Sequence, residues 1–566
     1  MSPTAAAALA IAAYALAYKV YSGFLAKRLF ELDEHAVTPA HALQDGVDYV
    51  PSRPLLLFGH HFASITGLAP MLGPAIAVIW GWVPAMVWVV GGAVLIGCVH
   101  DFSALVLSVR NKGMSVGQVA EVLLGPRGRT LFHLIIFFGV SLAMGVFVLV
   151  ISNLFQSVPD PETGASGYST AVLPSGLLML VALGCGYLLY VKKAPLAPVI
   201  AVGFAIELVS IWLGMELPTM GLARESWPAA TTWTFLLLAY AFLASVLPVW
   251  MLLQARDFLN SLLLYLGLGL AYVGFFVLGP SFAAPAFAPQ PAEAPPMLPF
   301  VFITIACGAA SGFHGLVSSG TTAKQLDKET DARVIGYGGM IGESLLGLLA
   351  VLACTAGFSS SELWHEHYAT WNSAGSLSAK IGAFIDGTAR FVTTLGIDEG
   401  LAQALIAMVV VSFALTTLDS ATRLLRFNIE EIGQSFRLPF SSNRYVSTVL
   451  ACLAIGFFAL FEIDGKPAGL ALWALFGTTN QLLAGLTLTM VTIYLRERGK
   501  PVWVTAIPAV FMMASTLSAM FVNLEKFQDT PVLFAVGIVL MLLGLWLLVE
   551  SVIALRPKKR TAGRSG

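Results

Sequence analysis

Long uninterrupted apolar stretches recur along the whole chain and constrain its fold more than any other feature. Residues 129–155 and 530–555 are two of them. An α-helix needs about 20 apolar residues to cross the hydrocarbon core of a bilayer, whereas membrane-spanning β-strands alternate apolar and polar residues over about ten positions. The 566 residues are 57% hydrophobic and only 11% charged, and soluble domains carry about 25% charged residues. The sequence therefore predicts an all-α, polytopic membrane protein surrounded by lipid.

We predict about fifteen transmembrane helices. They are 4–26, 57–80, 84–109, 129–155, 172–190, 195–215, 231–253, 258–279, 299–320, 335–357, 398–422, 445–461, 468–494, 502–522 and 530–555. With the amino terminus outside, 25 of the 31 lysines and arginines lie on one side of the membrane. Cytoplasmic connections are enriched in these residues, so the carboxyl terminus is predicted to be cytoplasmic. The same bias explains the basic clusters, and we predict no nucleic-acid binding.

Two of the apolar stretches are interrupted by residues that a transmembrane helix normally avoids. Residues 59–74 read "GHHFASITGLAPMLGP", and residues 311–321 read "SGFHGLVSSGT". Proline removes a helical hydrogen bond, and unwound backbone at membrane depth persists only where protein or water satisfies it. Close helix packing through small residues is the alternative explanation, but the added histidines and hydroxyl groups favour a binding site.

The two interruptions begin two groups of five predicted helices, and the starts of the two groups are seven spans apart, which is an odd number. The second group is therefore inverted relative to the first, an arrangement that points to the midplane site of a secondary transporter. The predicted organisation is an N-terminal helix with a cytoplasmic connection (1–56), a first five-helix repeat (57–215), a helix pair (216–298), a second five-helix repeat (299–495), and a C-terminal helix pair with a basic tail (496–566).

Several stretches between residues 59 and 484 resemble the carbon starvation protein A (CstA) family of bacterial inner-membrane transporters. They are "GHHFASITGLAPMLGP" (59–74), "HDFSALVLSVRNKGMSVGQ" (100–118), "FITIACGAASGFHGLVSSGTTAKQL" (302–326), "IGYGGMIGES" (335–344), "ALTTLDSATRLLRF" (414–427) and "WALFGTTNQLLA" (473–484). The resemblance implies import of pyruvate or short peptides across the inner membrane, coupled to protons. It also implies a fold related to the five-plus-five inverted repeat of amino-acid transporters.

We assign substrate binding to polar residues of the two interruptions and of one later span. They are Gly59, His60, His61, Ser64, Ser311, Gly312, His314, Ser318, Asn480 and Gln481. Histidine titrates near neutrality, which suits carboxylate binding or proton uptake; a neutral histidine bonded to a freed carbonyl is the alternative. The two amides have joining helices as their alternative role. We predict no metal site, because neighbouring histidines rarely point at one ion.

Four charged residues at membrane depth are predicted to couple protons or to form a gate. Charged side chains there are costly and call for a function. Three roles are possible for Asp101: it carries a proton, pairs with a buried arginine or caps a broken helix. Two are possible for Glu343: it faces the site or packs against a histidine. Asp419 and Arg423 are four residues apart, which favours a local ion pair, with a gate as the sharper alternative.

The predicted mechanism is that of a secondary transporter with alternating access and no cofactor. Neither an HExxH zinc pattern nor a Walker A sequence occurs, so we predict neither an enzyme nor an ATP-driven pump. Sodium is the alternative to protons, because freed carbonyls with Ser318, Ser319 and Thr321 could ligate it. A membrane nutrient sensor is the alternative function. The oligomeric state does not follow from the sequence.

Overall fold

The computed structural model describes residues 1–157, 167–288, 290–439, 443–463 and 465–555, and nearly all of its regular structure is helical. The main helices in the first half of the chain are α1 (Pro3–Leu29), α2 (Pro54–Ile65), α3 (Ala69–Trp80), α4 (Trp82–Arg110), α5 (Val116–Leu124), α6 (Pro126–Leu154), α7 (Ser169–Val191), α8 (Leu196–Glu216), α9 (Ala230–Val246) and α10 (Leu253–Leu278). Those in the second half are α11 (Met297–Thr304), α12 (Gly312–Gly320), α13 (Glu329–Ala356), α14 (Leu377–Thr393), α15 (Glu399–Ser435), α16 (Arg444–Leu460), α17 (Trp473–Glu497), α18 (Trp503–Lys526) and α19 (Pro531–Ala554).

Short elements connect these helices. Strands Glu462–Ile463 and Lys466–Pro467 form an antiparallel hairpin. Single helical turns cover Pro39–Ala42, Ser361–His367, Trp371–Gly375 and Ala468–Ala471. Most of the predicted basic tail, residues 556–566, lies outside the described residues.

Ten helices of the described chain are long and apolar enough to cross a membrane. The bent pair α2 and α3 makes an eleventh candidate, and α9 and α16 are shorter apolar helices. The prediction of an all-α, multi-pass membrane protein is therefore confirmed. Each of the fifteen predicted stretches coincides with one or two helices, but how many of them span the bilayer stays a prediction.

Both predicted interruptions are breaks in helices. α2 ends at Ile65 and α3 begins at Ala69, with a bend of 46° between them. α11 ends at Thr304, residues 305–311 are not helical, and α12 begins at Gly312. α2 contacts α12, and α3 contacts α11. The two broken segments therefore lie side by side, with their breaks at a similar level.

Two glycines of these segments permit close packing. A Cβ atom on Gly59 would lie 2.7 Å from both Phe258 and Ser261 of α10. A Cβ atom on Gly312 would lie 2.3 Å from the carbonyl oxygen of Asn480 on α17. Since both glycines are fully surrounded by protein, the structure gives them a packing role. Their predicted part in substrate binding stays a prediction.

Helix α14 lies between the predicted spans 335–357 and 398–422, where no helix is predicted. Ser376 caps its first turn by accepting a hydrogen bond from the amide of Ala379. Its apolar residues recur at helical spacing, and α14 packs against α3, α10, α13 and α15. This part of the connection is therefore an integral element of the bundle.

Candidate functional site

A small cavity lies between the two helix breaks. Its volume is about 30 Å³, enough for about two water molecules. Its lining comes from both broken segments and from α6, α15 and α17: Ile65, Gly67, Ala69, Gly139, Val140, Ala143, Met144, Phe147, Cys307, Phe313, Leu316, Thr417, Phe476, Asn480 and Leu483. Of the ten predicted substrate-binding residues, only Asn480 lines this central cavity. The conformation is closed around it.

A second, larger cavity, the vestibule, adjoins the central cavity. Its volume is about 610 Å³. Ala69, Cys307 and Phe476 line both cavities, so these three side chains separate them. The vestibule opens at the end of the bundle that carries the connection before α11 and the segment Trp371–Gly375. A solute entering from that end would reach the helix breaks through it.

Asn480 and Gln481 hold the second break together. The Asn480 side-chain oxygen accepts a hydrogen bond from the amide of Phe313 at 2.9 Å and from the hydroxyl of Ser311 at 3.2 Å. The Gln481 amide donates to the carbonyls of Phe302 at 3.0 Å and Ala310 at 3.1 Å. These are backbone groups that the break frees from helical bonding. In this structure the contacts of both amides join helices, which is the alternative role given for them above.

The second interruption also carries the centre of a buried His–carboxylate cluster. Asp101 Oδ2 lies 2.8 Å from His314 Nδ1, and Asp101 Oδ1 lies 2.8 Å from His100 Nδ1. His314 Nε2 lies 2.9 Å from Glu343 Oε2, although the two groups are not aligned for a hydrogen bond. All four side chains are completely buried. Asp101 therefore pairs with histidines rather than with an arginine, and Glu343 lies against a histidine, which is one of the two alternatives left open for it.

Three groups of this region have metal-ligand chemistry. One ligand atom each of Cys307, His314 and Glu343 lies within 4.8 Å of the others. The Cys307 thiol is already in contact with the Ser311 hydroxyl at 3.3 Å. The absence of a metal site stays a prediction from the sequence. These three residues are where metal binding should be tested first.

The adjacent histidines of the first interruption point to different partners. His60 Nδ1 lies 2.6 Å from Asp257 Oδ2, and His61 Nδ1 lies 2.9 Å from the hydroxyl oxygen of Thr322. Both rings are fully buried. His60 thus belongs to a charged network with α10, whereas His61 bonds just beyond α12.

The predicted local ion pair between Asp419 and Arg423 is wrong. Asp419 is paired with Arg256 of α10 and accepts a hydrogen bond from Tyr240 at 2.5 Å. Arg256 also lies 2.5 Å from Asp257. A helix spacing of four residues permits an ion pair, but here both side chains find a counter-ion on another element. The pairing of Asp419 thereby joins α15 to α9 and α10.

Arg423 instead contacts the connection between α1 and α2. Its Nη1 lies 2.7 Å from Asp48 Oδ1, and its Nη2 donates to the carbonyls of Ala244 and Leu247. Burial by itself raises the pKa of the Asp48 carboxyl, but the positive charges of Arg423 and Arg426 help to hold that pKa below its usual value. This charged cluster joins α15 to the connection between α1 and α2.

The remaining predicted residues have simpler surroundings. Ser64 shares a hydrogen bond of 2.9 Å with Ser420. The Ser318 hydroxyl is buried and has no hydrogen-bond partner among the described residues. The structure brings Ser311, His314 and Asn480 close to one another at the second break, whereas His60, Ser64, Asp419 and Arg423 lie in other contacts.

Sequence reasoning missed several members of these networks. Arg256 and Asp257 fall between the predicted spans 231–253 and 258–279, but α10 begins at Leu253 and buries both. Their adjacency to an apolar run without an intervening proline or glycine was the available signal. Asp48 carried no such signal, because it lies among other polar residues of a connection.

Comparison with known proteins identifies the family. The model of the carbon starvation protein CstA family matches residues 4–366 and 358–519. The peptide transporter CstA of Bacillus subtilis is 30% identical, with 95% of this chain and 94% of the relative covered. The pyruvate/proton symporter BtsT of Escherichia coli is 31% identical, with 92% and 81% covered. A further relative, the peptide transporter CstA of Campylobacter jejuni, is 31% identical, with 90% and 78% covered.

The solved structures that this chain matches have low sequence identity to it. MhsT in complex with L-phenylalanine has a TM-score of 0.43 at 12% identity, with 88% of this chain and 99% of that chain covered. An Eremococcus coleocola manganese transporter mutant has a TM-score of 0.41 at 12% identity, with 90% and 98% covered. The match of the family model over most of the sequence and the identity to the relatives both lead to one conclusion: the chain belongs to the carbon starvation protein CstA family.

Proposed function

We propose that the chain is a secondary active transporter that imports pyruvate or short peptides together with protons by alternating access. The observation that carries this proposal is the pair of broken helices flanking a central cavity, with a vestibule on one side of it. Relatives over most of the chain are named as a peptide transporter and as a pyruvate/proton symporter. Small-molecule transport is the activity these names share.

In the proposed cycle the substrate carboxylate binds between the two breaks. α12 begins at Gly312, and the amides of a helix amino terminus favour anions. The cavity is too small for the substrate in this conformation. Binding therefore requires the separation of Phe313, Phe476 and their neighbours, followed by reclosure around the substrate.

Protons are proposed to enter through the His–carboxylate cluster. Asp101, His314 and Glu343 share one buried region in which a proton can be exchanged between neighbouring groups. His314 lies on the second broken helix, and Asp101 lies on α4. A change of protonation would therefore alter the attraction between a substrate-contacting segment and a neighbouring helix, which is what coupling requires.

The two ends of the bundle are proposed to act as alternating gates. The vestibule is present at one end, while the Asp48–Arg423 pair closes the other. With the amino terminus outside, the vestibule faces the exterior and Asp48 faces the cytoplasm of a bacterial inner membrane. The finer architecture that we propose is fifteen spans with two inverted five-helix repeats, 57–215 and 299–495.

The test is uptake by the purified protein in liposomes. Labelled pyruvate and a labelled dipeptide are offered with an inward proton gradient, with an inward sodium gradient and with neither. We expect uptake that saturates and that the proton gradient stimulates. Stimulation by the sodium gradient alone would show that sodium, and not the proton, is the coupling ion. Absence of uptake of both substrates under every gradient would contradict the proposed function.

A matched pair of histidine variants controls this experiment. His314→Gln removes a member of the proposed proton site. His133→Gln removes another buried histidine, which bonds Asn428 at 2.9 Å on α15 and lines neither cavity. We expect proton-stimulated uptake to fall more than tenfold in His314→Gln and less than twofold in His133→Gln. An equal loss in both variants would indicate general damage instead of coupling.

A further inference from the structure

Lys380 is a buried cation without a counter-ion. Its side chain is 7% exposed, and no carboxylate of the described residues lies within ion-pair distance of its ammonium group. No hydrogen-bond acceptor is bonded to that group in the same part of the chain. Buried charges are ordinarily paired, because removing a charge from water is costly without compensation. Lys380 has no such partner and lines the vestibule, so its ammonium group is open to that cavity and available to a negatively charged ligand there.

The position of Lys380 in its helix adds to this argument. It lies in the first turn of α14, directly after the cap formed by Ser376. The amino-terminal end of a helix carries partial positive charge and disfavours cations. Both the helix end and the lysine would be stabilised by the same anion.

Lys380 and Asn523 line the vestibule together. The Asn523 amide nitrogen is buried and has no hydrogen-bond acceptor among the described residues. The other charged residues of the vestibule wall are Lys526 and Glu293, both exposed, so the wall carries two lysines and one glutamate. Two unsatisfied donors from α14 and α18 thus lie in the wall of one cavity.

We propose that Lys380 and Asn523 form an anion site in the vestibule that takes the carboxylate of the incoming substrate before it reaches the central cavity. The ammonium group would donate a charge-assisted hydrogen bond to the carboxylate, which is the stronger class of hydrogen bond, and the Asn523 amide offers a second donor in the same wall. This inference rests on the proposed function for its direction of transport. The site itself is a binding site and can be tested by binding alone.

The experiment compares Lys380→Gln, Lys380→Arg and Lys526→Gln. Binding of pyruvate to the purified full-length protein is measured by calorimetry, and the KM of uptake is measured in liposomes. We expect Kd and KM to rise at least tenfold in Lys380→Gln with Vmax little changed. Lys380→Arg keeps the charge and should stay within about threefold of the unmodified protein. Lys526→Gln removes an exposed lysine of the same wall and should change neither constant.

A pH series gives a readout that a structural role would not move. Burial lowers the pKa of Lys380 to about 8, so the ammonium group is charged at pH 7 and loses its proton above pH 8. Pyruvate affinity should therefore fall between pH 7 and pH 9 in the unmodified protein. In Lys380→Arg the guanidinium stays charged and the fall should disappear. Glu293 and Lys526 are present in both proteins, so the comparison isolates Lys380.

Two substrate arms identify the group that is recognised. A dipeptide and the same dipeptide with an amidated carboxyl terminus differ only in the carboxylate. A preference for the free acid that vanishes in Lys380→Gln and weakens in Asn523→Leu supports the site. Unchanged binding in Lys380→Gln, an equal effect of Lys526→Gln, or absence of pyruvate and dipeptide binding to the unmodified protein would each overturn it.

Failure of this site and failure of the proposed function give different results. Lys380-dependent pyruvate binding without any uptake would preserve the site and contradict the transporter. Proton-coupled uptake with an unchanged KM in Lys380→Gln would preserve the transporter and contradict the site. Size-exclusion profiles of the variants show whether each of them is folded, and removal of a buried unpaired charge is not expected to destabilise the protein.

Discussion

Asp101 Oδ2 lies 2.8 Å from His314 Nδ1, and this contact joins α4 to the second half of a broken helix. The other Asp101 oxygen contacts His100, so a single carboxylate bridges two histidine rings. Neither His314 nor Asp101 is accessible to solvent in this conformation. A proton from solvent can therefore reach this pair only after a change of conformation exposes it.

We expect Asp101→Asn to separate proton coupling from substrate movement. The amide keeps the shape of the side chain but can no longer carry a proton. Net uptake driven by a proton gradient should fall more than tenfold. Exchange of labelled for unlabelled pyruvate at equal concentrations needs no net proton movement and should be largely retained. Equal loss of both activities would contradict a coupling role for Asp101 and favour a structural one.

A double-mutant cycle should locate the partner of Asp419. Removing one member of a buried ion pair leaves the other charge uncompensated, which destabilises by about 3–5 kcal/mol. We expect Arg256→Met to approach this range, because Asp419 and Asp257 both depend on that guanidinium. Residues in contact show coupling energies of about 0.5–3 kcal/mol, and independent sites add within about 0.5 kcal/mol.

The corresponding control is the pair predicted from helix spacing. The free energy of unfolding in detergent is measured for Asp419→Asn alone and combined with Arg256→Met or with Arg423→Met. Coupling should appear with Arg256 and be absent with Arg423, whose counter-ion is Asp48. A coupling energy between Asp419 and Arg423, with none between Asp419 and Arg256, would support the local ion pair predicted from helix spacing.

The Asp48–Arg423 contact should contribute stability in a defined pH range. The pKa of Asp48 in the folded protein lies below its usual value, so the folded state favours the ionised carboxyl. This contribution is fully present above the unfolded pKa of about 3.9 and is lost as pH falls through the folded pKa. At pH 7, Asp48→Asn should therefore unfold at a lower temperature than the unmodified protein.

The difference between the two proteins should shrink as pH is lowered below 4. Thermal unfolding midpoints at pH 7, 5 and 3 measure this trend, and Asp529→Asn, which changes an exposed aspartate, serves as the control. A difference that stays constant over this range would show that the charge of Asp48 contributes nothing to stability. If the Asp48–Arg423 pair also acts as a gate, Asp48→Asn should open the end of the bundle at which Asp48 lies. A cysteine introduced at Thr66, in the first helix break, should then be labelled faster by a thiol reagent added from that end.

The helix breaks could be predicted from the sequence because their causes are local. Pro70 and the glycines around it disfavour a continuous helix wherever they occur. Depth and partners are not local: Asp48 meets Arg423, 375 residues further along the chain. Asp419 meets Arg256 for the same reason, since the packing of α15 against α10 decides which side chains face each other.

The predicted site residues stay a prediction, and their contacts were only partly foreseeable from the sequence. Histidine in an interrupted helix indicated a functional region, and His314 does lie in a buried carboxylate cluster. The sequence could not distinguish His60 from His61, because side-chain direction in a helix depends on what surrounds it. The cavity-lining Phe147 and Phe313 carried no signal at all, since apolar residues in a membrane helix are expected everywhere.

Cys307 should report the passage from the vestibule to the central cavity. It lines both cavities and is 5% exposed. In a variant whose other four cysteines are replaced by alanine, a small methanethiosulfonate reagent added at the vestibule end should label Cys307 and block uptake. Pyruvate at saturating concentration should slow this labelling several-fold, because the occupied and reclosed site excludes the reagent.

The matched control for that experiment retains Cys98 alone, a fully buried thiol that lines neither cavity. It should remain unlabelled under the same conditions. Labelling of Cys98 at the rate of Cys307 would mean that the reagent enters by general opening of the bundle. A solute bound between the breaks must lie against the residues that both cavities share, one of which is Cys307. Labelling of Cys307 that pyruvate does not slow would therefore show that the substrate does not pass through the vestibule.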